Sequence, residues 1–290
     1  KIIDHGKETV QNLDFPFPDA SMICHHLLCK LAKGKDTRVI LSGNGGDEIF
    51  FGYFNHVYSF LASLLKEKNL IDFYKFFKIF KKNININFSN YILKILFSSL
   101  EPVRKNKIKN YRNNKFIQYL NFRPNVYETY YENYADGDDF LQNISKNFAH
   151  KFTLPQFLDY EDKNSSNFGM ESRPILSDWD IFNTNLNLNK KLLFTNGFKT
   201  LINNRFKSVQ VKLKSKNHFN APWLRYIEND KKNFIEFCFD NIDKSMILEK
   251  KIFKKTINDF FIKKKTKNIE NIFRLYSLLN WEINSFNEII

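Results

Sequence analysis

Apolar positions recur at helical spacing through most of this chain and at strand spacing only near its start. In residues 20–33, Ile23, Leu27, Leu28 and Leu31 fall three and four apart, which predicts a helix with an apolar stripe. The run Thr37-Arg-Val-Ile-Leu41 is short and β-branched and predicts a buried strand. Ser42-Gly-Asn-Gly-Gly46 follows as a glycine-rich turn. Residues 47–51 then open a helix with acidic residues in its first turn, where the helix dipole favours them. From residue 57 to 149 the pattern is mainly helical and rich in Phe, Leu, Ile and Tyr. Residues 83–88 alternate like a strand, but their flanks favour a linker. Residues 104–115 read as a basic loop, and residues 136–139 as a turn or helix start. Further helices are expected over residues 154–162, 198–206, 233–239 and 269–286, with residues 164–177 irregular. The whole is an α/β chain: an α/β part over residues 1–60, then a large, mostly helical part over residues 61–290.

Composition narrows the class. The chain has 290 residues, is 43% hydrophobic and carries 32 Phe, which is enough apolar surface for a substantial core and argues against global disorder. No stretch of about 18 apolar residues predicts a membrane span, and no signal-peptide pattern is present. The first residue is Lys1 rather than Met, so the expectation is a piece of a longer reading frame. Cys24, Cys29 and Cys238 show no framework spacing, which points to a reducing cytoplasm.

Lysines and arginines outnumber acids 45 to 31, a net charge of +14. The basic residues are spread over residues 75–82, 104–115, 207–216 and 250–267, with no recognition module among them. They read as solvated helix faces rather than a nucleic-acid or membrane surface. In residues 250–267 the lysines interleave with Ile252, Phe253, Ile257, Phe260 and Phe261, the pattern of an amphipathic helix packed on the domain. Cys24, His25, His26 and Cys29 have the residue types of a metal cluster, but no second pair at finger spacing follows. They read as a packed helix with Cys24 on or near its buried face. Trp179, Trp223 and Trp281 read as core.

The segment with the clearest chemistry is Val39-Ile-Leu-Ser-Gly-Asn-Gly-Gly-Asp-Glu-Ile-Phe-Phe-Gly-Tyr53. Backbone amides in a glycine turn after a strand can approach an anion, and Asp47 stands where a carboxylate can hold Mg2+ beside phosphate oxygens. No Gly-Lys-Ser/Thr follows, so it is not a Walker A loop. On spacing alone, a tight turn with a capping acid reads equally well.

This segment resembles the Ser-Gly-x-Gly-x-Asp-Glu-x-Phe-x-Gly-Tyr motif of the glutamine-hydrolysing asparagine synthetase family. Residues 13–21 resemble that family's Leu-Asp-x-Pro-x-x-Asp-x-Ser loop, and residues 162–165 its Asp-x-x-Ser element. Residues 169–174 follow its Gly-Met-Glu-Ser-Arg pattern, and Asp178 falls on the family's aspartate. Residues 196–200, 214–222 and 272–282 resemble its later elements, in family order. The resemblance implies the later half of an adenine-nucleotide α-hydrolase-like, Rossmann-like sheet extended by helices. It implies ATP and Mg2+ as cofactors, aspartate or another carboxylate acceptor as substrate, and ammonia from a glutaminase domain. The acceptor carboxylate would be activated as an acyl-adenylate, from which ammonia displaces AMP. Asp47 matches the metal-binding aspartate and Lys216 the lysine facing the phosphates. Ser42 and Gly43 match residues lining the AMP moiety, with Gly45 in the same turn. Glu48, Glu171 and Arg173 are candidates for orienting the site, with a plain ion pair an equal reading for Glu171 and Arg173. The resemblance leaves room for a homodimer.

The chain departs from the family in several places. The pyrophosphate loop, Ser-Gly-Gly-x-Asp-Ser, and the glutaminase domain are absent, so the chain by itself is expected to make the adenylate too slowly to be useful. Asn44 stands where the family carries Glu or Asp, and it keeps hydrogen bonding while losing charge and base character. Ile175, Leu176 and Ser177 replace Pro-Phe-Leu, and His218 replaces a glycine. These changes keep two alternatives open: a divergent amidotransferase acting on a surface sugar or peptide, and a non-catalytic relic that binds.

Overall fold

The computed structural model describes residues 2–83, 87–101, 104–108, 116–122, 139–195, 223–262 and 269–286. In chain order these form α1 (Ile2–Leu13), α2 (Ser21–Lys33), β1 (Val39–Ser42), α3 (Gly46–Ile49), α4 (Phe54–Lys66), α5 (Leu70–Asn83) and α6 (Phe88–Ser98). Then come α7 (Phe140–Asn147), a π-helical turn (Phe148–Phe152), α8 (Leu154–Ser166), β2 (Glu171–Pro174), α9 (Trp179–Asn187) and α10 (Lys190–Phe194). The last four are α11 (Trp223–Asn229), α12 (Lys231–Ile242), α13 (Lys250–Phe261) and α14 (Ile269–Phe286). The protein is mostly helical with a small parallel sheet, consistent with an α/β class. No helix among the described residues is long and apolar enough to cross a membrane.

Local chemistry accounts for the element boundaries. The Asp139 carboxylate accepts from Gln142 N (2.7 Å) and the Gln142 side chain accepts from Asp139 N (3.2 Å), a capping box that starts α7. Pro155 sits in the first turn of α8, where its missing N–H costs nothing. At the other end Gly169, with φ of +65°, turns the chain out of α8 and into β2. Asp178 caps α9 by accepting from Ile181 N at 2.8 Å.

Residues 164–177, expected to be irregular, hold the end of α8 and all of β2. The strand is Glu-Ser-Arg-Pro, without the β-branched alternation that marks a strand locally. It forms because β1 pairs with it in parallel, Val39 opposite Glu171 through Ser42 opposite Pro174. Strand material from beyond residue 60 thus joins the α/β part.

β1 is not the buried strand its composition predicts. Val39 is 39% and Leu41 66% exposed, and they share their sheet face with exposed Glu171 and Arg173. The other face carries Ile40, Ser42, Ser172 and Pro174, all half-buried. Parallel sheets are normally covered on both faces; here the described residues leave one uncovered. α2 is rotated likewise: it buries Met22, Ile23, His26 and Cys29, while Leu28 and Leu31 of the expected stripe stay exposed.

The described residues form two apolar cores. One joins α1, α2 and α11–α14 through Val10, Leu13, Ile23, Phe234, Cys238, Phe253, Ile257 and Tyr276. The other joins α3–α7, α9 and α10 through Ile49, Val57, Phe60, Phe80, Tyr91, Leu141, Phe182 and Phe194. The basic stretch expected to be an amphipathic helix is α13, which buries Phe253, Ile257, Phe260 and Phe261. Trp179 is 54% exposed rather than core, because it lies in the first turn of α9 against His150. Trp281 is half-buried and donates to Asp14 O, while the side chain of Trp223 lies outside the described residues. α8 bridges the two halves, packing on α1, α2 and β2 and continuing from the π-helical turn.

Candidate active site

The turn after β1 is held by its own backbone and by the segment after β2. Gly46 N donates to Gly43 O (3.1 Å) and Ile49 N to Gly45 O (2.8 Å), while Asn44 N reaches the Ser42 hydroxyl at 3.4 Å. The Ser177 hydroxyl donates to Asn44 O at 2.9 Å, and the Asn185 amide to Ile49 O at 3.1 Å. Gly45 takes φ of +89°, and a Cβ there would lie 2.5 Å from Ser177 Oγ and 3.0 Å from its N and Cα. A Cβ on Gly43 meets nothing within 4 Å. Gly45 therefore serves the turn, while Gly43 leaves open backbone that a ligand can approach.

The helix expected after this turn is the four-residue α3, a single turn with little macrodipole. The amides of Asn44, Gly46 and Ile49 are bonded within the protein. Carboxylates stand beside them. Glu48 is only 2% exposed and accepts from the Tyr53 hydroxyl at 2.6 Å. Burial, with Glu48 and Asp47 nearby, pushes the Tyr53 phenol far above its usual range, so it stays a donor. Glu48 thus ties α3 to the residue that starts α4. Asp47 is half-buried beside it, its carbonyl accepting from Gly52 N at 2.7 Å.

Asn44 opens onto a cleft of about 280 Å³ between α2 and α8. Met22, Leu28, Phe157 and Tyr160 supply most of its wall. Asn44, Glu161, His25 and Ser21 are among its polar lining. The Asn44 amide donates to Glu161 Oε2, and the Ser172 hydroxyl, from the inner face of β2, donates to Oε1. Glu161 is 4% exposed, so both carboxylate oxygens are held within the protein. Burial pushes His25 below the usual imidazole range, with the Glu161 charge opposing, so His25 is neutral at pH 7. Its Nε2 lies 3.9 Å from Cys29 Sγ, and burial lifts that thiol to about 11. Among the described residues no group of three or more His, Cys, Asp or Glu is placed to hold a metal.

The structure brings Ser42, Gly43, Asn44, Gly45, Asp47 and Glu48 together in one turn. It does not bring Glu171 and Arg173 to the cleft. They form an exposed pair on the opposite sheet face, the guanidinium donating twice to the carboxylate at 2.8 and 3.0 Å. Lys216, His218 and the expected helix over residues 198–206 lie outside the described residues.

Glu161, Ser172, Ser177 and His25 were not singled out as site residues by motif reading. One signal for Glu161 does exist. Leu154, Glu161, Asn164 and Ser165 share the buried face of α8 at helical spacing, so a carboxylate sits where that face turns inward.

No curated protein and no solved structure matches the chain. A family model described as asparagine synthase matches residues 1–212, with the glycine turn, α8 and β2 inside the matched stretch. That family forms amides at the expense of ATP. A match over 212 of 290 residues places the chain in the asparagine synthase family.

Proposed function

We propose that this chain carries the carboxylate-activating and amide-forming part of a glutamine-hydrolysing asparagine synthetase, working in the cytoplasm. The observation that carries the reading is the Ser42–Asp47 turn at the end of a parallel strand, open at Gly43 and reaching a cleft through Asn44. The two strands are then the visible part of a Rossmann-like sheet, whose ligands bind beyond the carboxyl ends of its strands. Ser42 and Gly43 line the adenylate, and the acceptor carboxylate oxygen attacks the α-phosphorus as pyrophosphate leaves. Ammonia from a glutaminase domain then displaces AMP.

Mg2+ needs only one or two protein carboxylates when phosphates and water complete its shell. Asp47, half-buried in the turn and matching the family's metal-binding aspartate, is proposed to supply one of them. The ion, when bound, screens the charge of the leaving pyrophosphate. Lys216 is proposed to face the same phosphates, and Glu48 to hold α3 in place.

A second reading, a divergent amidotransferase with a sugar or peptide acceptor, draws on the cleft itself. Among its described lining residues there is no Lys or Arg to take the second carboxylate of aspartate. Acceptor-dependent ATP–pyrophosphate exchange separates the readings. With the protein expressed from its complete reading frame, aspartate is expected to drive exchange, and Asp47→Asn to lower it on the order of 100-fold. Exchange driven by other carboxylates but not by aspartate transfers the assignment to the second reading. No exchange with any carboxylate overturns both.

A further inference from the structure

We propose that Glu161 is the proton acceptor for the nitrogen nucleophile in amide formation, in place of the carboxylate that residue 44 lacks. The inference rests on the reading of this site as amide-forming. Amide formation from an acyl-adenylate needs a base. The nitrogen attacks the acyl carbon, the C–N bond forms, the C–O bond to AMP breaks, and AMP leaves with that electron pair. The nitrogen carries positive charge until it gives up a proton. A carboxylate beside it lowers the barrier by charge stabilisation and by taking that proton.

Asn44 cannot do this, because an amide has no useful basicity. Its side chain instead touches Glu161. The carboxylate is moved by one hydrogen bond, from the turn to α8. Ser172 holds the second oxygen, so the group is oriented as well as buried.

The cleft fits the same role. At about 280 Å³ it lies below the roughly 300–1,000 Å³ of pockets for drug-sized ligands. It suits an ammonia molecule or one end of an acceptor rather than a whole nucleotide. The described lining holds no Lys or Arg, and Glu161 is its carboxylate. That carboxylate favours the positive charge that develops on the attacking nitrogen. His25 is the weaker candidate for the base: it contacts Cys29 rather than the turn, and burial depresses its proton affinity.

The test uses the protein from its complete reading frame, ammonium chloride as nitrogen source, and two readouts: acceptor-dependent ATP–pyrophosphate exchange and amide product. Glu161→Gln keeps the size of the side chain and an oxygen to accept from Asn44, and the Ser172 hydroxyl can turn to accept from the new amide. It is expected to leave exchange within threefold and to lower amide formation at least 100-fold. The double variant Asn44→Asp with Glu161→Gln returns a carboxylate to the other end of the same hydrogen bond, and is expected to recover amide formation at least tenfold over Glu161→Gln. Normal amide formation in Glu161→Gln overturns the proposal while leaving the amide-forming reading standing. Equal loss of exchange and amide formation, without recovery in the double variant, makes Glu161 structural and also overturns it. No exchange in the unaltered protein overturns reading and proposal together.

Discussion

Replacing Gly45 by Ala probes the geometry of the turn most directly. Gly45 holds φ of +89°, where an L-residue pays on the order of 1–2 kcal/mol. The new methyl would stand 2.5 Å from Ser177 Oγ and 3.0 Å from Ser177 N and Cα. Two of those neighbours are backbone or backbone-anchored, so rotating the serine side chain cannot relieve the overlap. Overpacking of this kind costs about 1–3 kcal/mol. Pushing Ser177 aside also threatens its 2.9 Å bond to Asn44 O, worth about 1 kcal/mol. The contributions overlap, and their combined effect is about 3 kcal/mol of lost stability, read as a shift of the urea midpoint at unchanged slope. Gly43→Ala is the control. Its added Cβ meets nothing within 4 Å, so its stability should stay within about 0.5 kcal/mol of the parent. Gly45→Ala with Ser177→Ala should recover only part of the loss, because the contacts at 3.0 Å remain. Equal stability of Gly45→Ala and Gly43→Ala would refute the reasoning, since nothing but the turn geometry separates the two.

Other expectations follow from the same structure. Burial pushes the Tyr58 phenol up to about 12, and those of Tyr91 and Tyr276 upward as well. Above pH 10 the unfolded chain releases these protons and the folded protein keeps them, so stability falls as pH rises. Tyr58 alone contributes a loss of about 2–3 kcal/mol between pH 10 and 12, and urea midpoints of Tyr58→Phe should show a correspondingly shallower decline. Phe194 is fully buried, stacked on Phe60 at 4.6 Å and flanked by Phe51 and Phe80. Phe194→Ala should cost about 3–5 kcal/mol, and a loss below about 1 kcal/mol in denaturation would contradict that packing. Asp178→Ala removes the cap of α9 and should cost about 1 kcal/mol, whereas Asp178→Asn should keep most of it; equal losses would argue against the bond to Ile181 N.

Legibility in the sequence followed the range of the interaction. The final helix was readable to its ends, residues 269–286, because its apolar spacing is a local property. The helix over residues 233–239 was readable in its middle and extends to Lys231–Ile242. β2 was not readable, since Glu-Ser-Arg-Pro becomes a strand only when β1 lies beside it. The exposure of Leu28, Leu31, Val39 and Leu41 was equally hidden: a pattern shows which residues can be covered, not whether anything covers them. In the site, the glycine turn was legible by type and spacing, while its reading as more than a capped turn, and that of Asp47 as a metal ligand, came from the family resemblance. Ser177 looked like a departure from the family pattern, and its hydroxyl proves to hold Asn44 O.

The sequence by itself determined a helical chain with one short strand-turn-helix segment, a basic surface and an ordered series of asparagine synthetase motifs. Each depends on residues close together along the chain, so one-dimensional spacing carries it. Only the tertiary structure decided that β1 pairs with β2, that Ser42 and Ser172 share one sheet face while Glu171 and Arg173 take the other, and that Asn44 meets Glu161. Those contacts join residues far apart in sequence, through a helix packed between two cores. The direction in which a side chain finally points is set by that packing, and no local pattern encodes it.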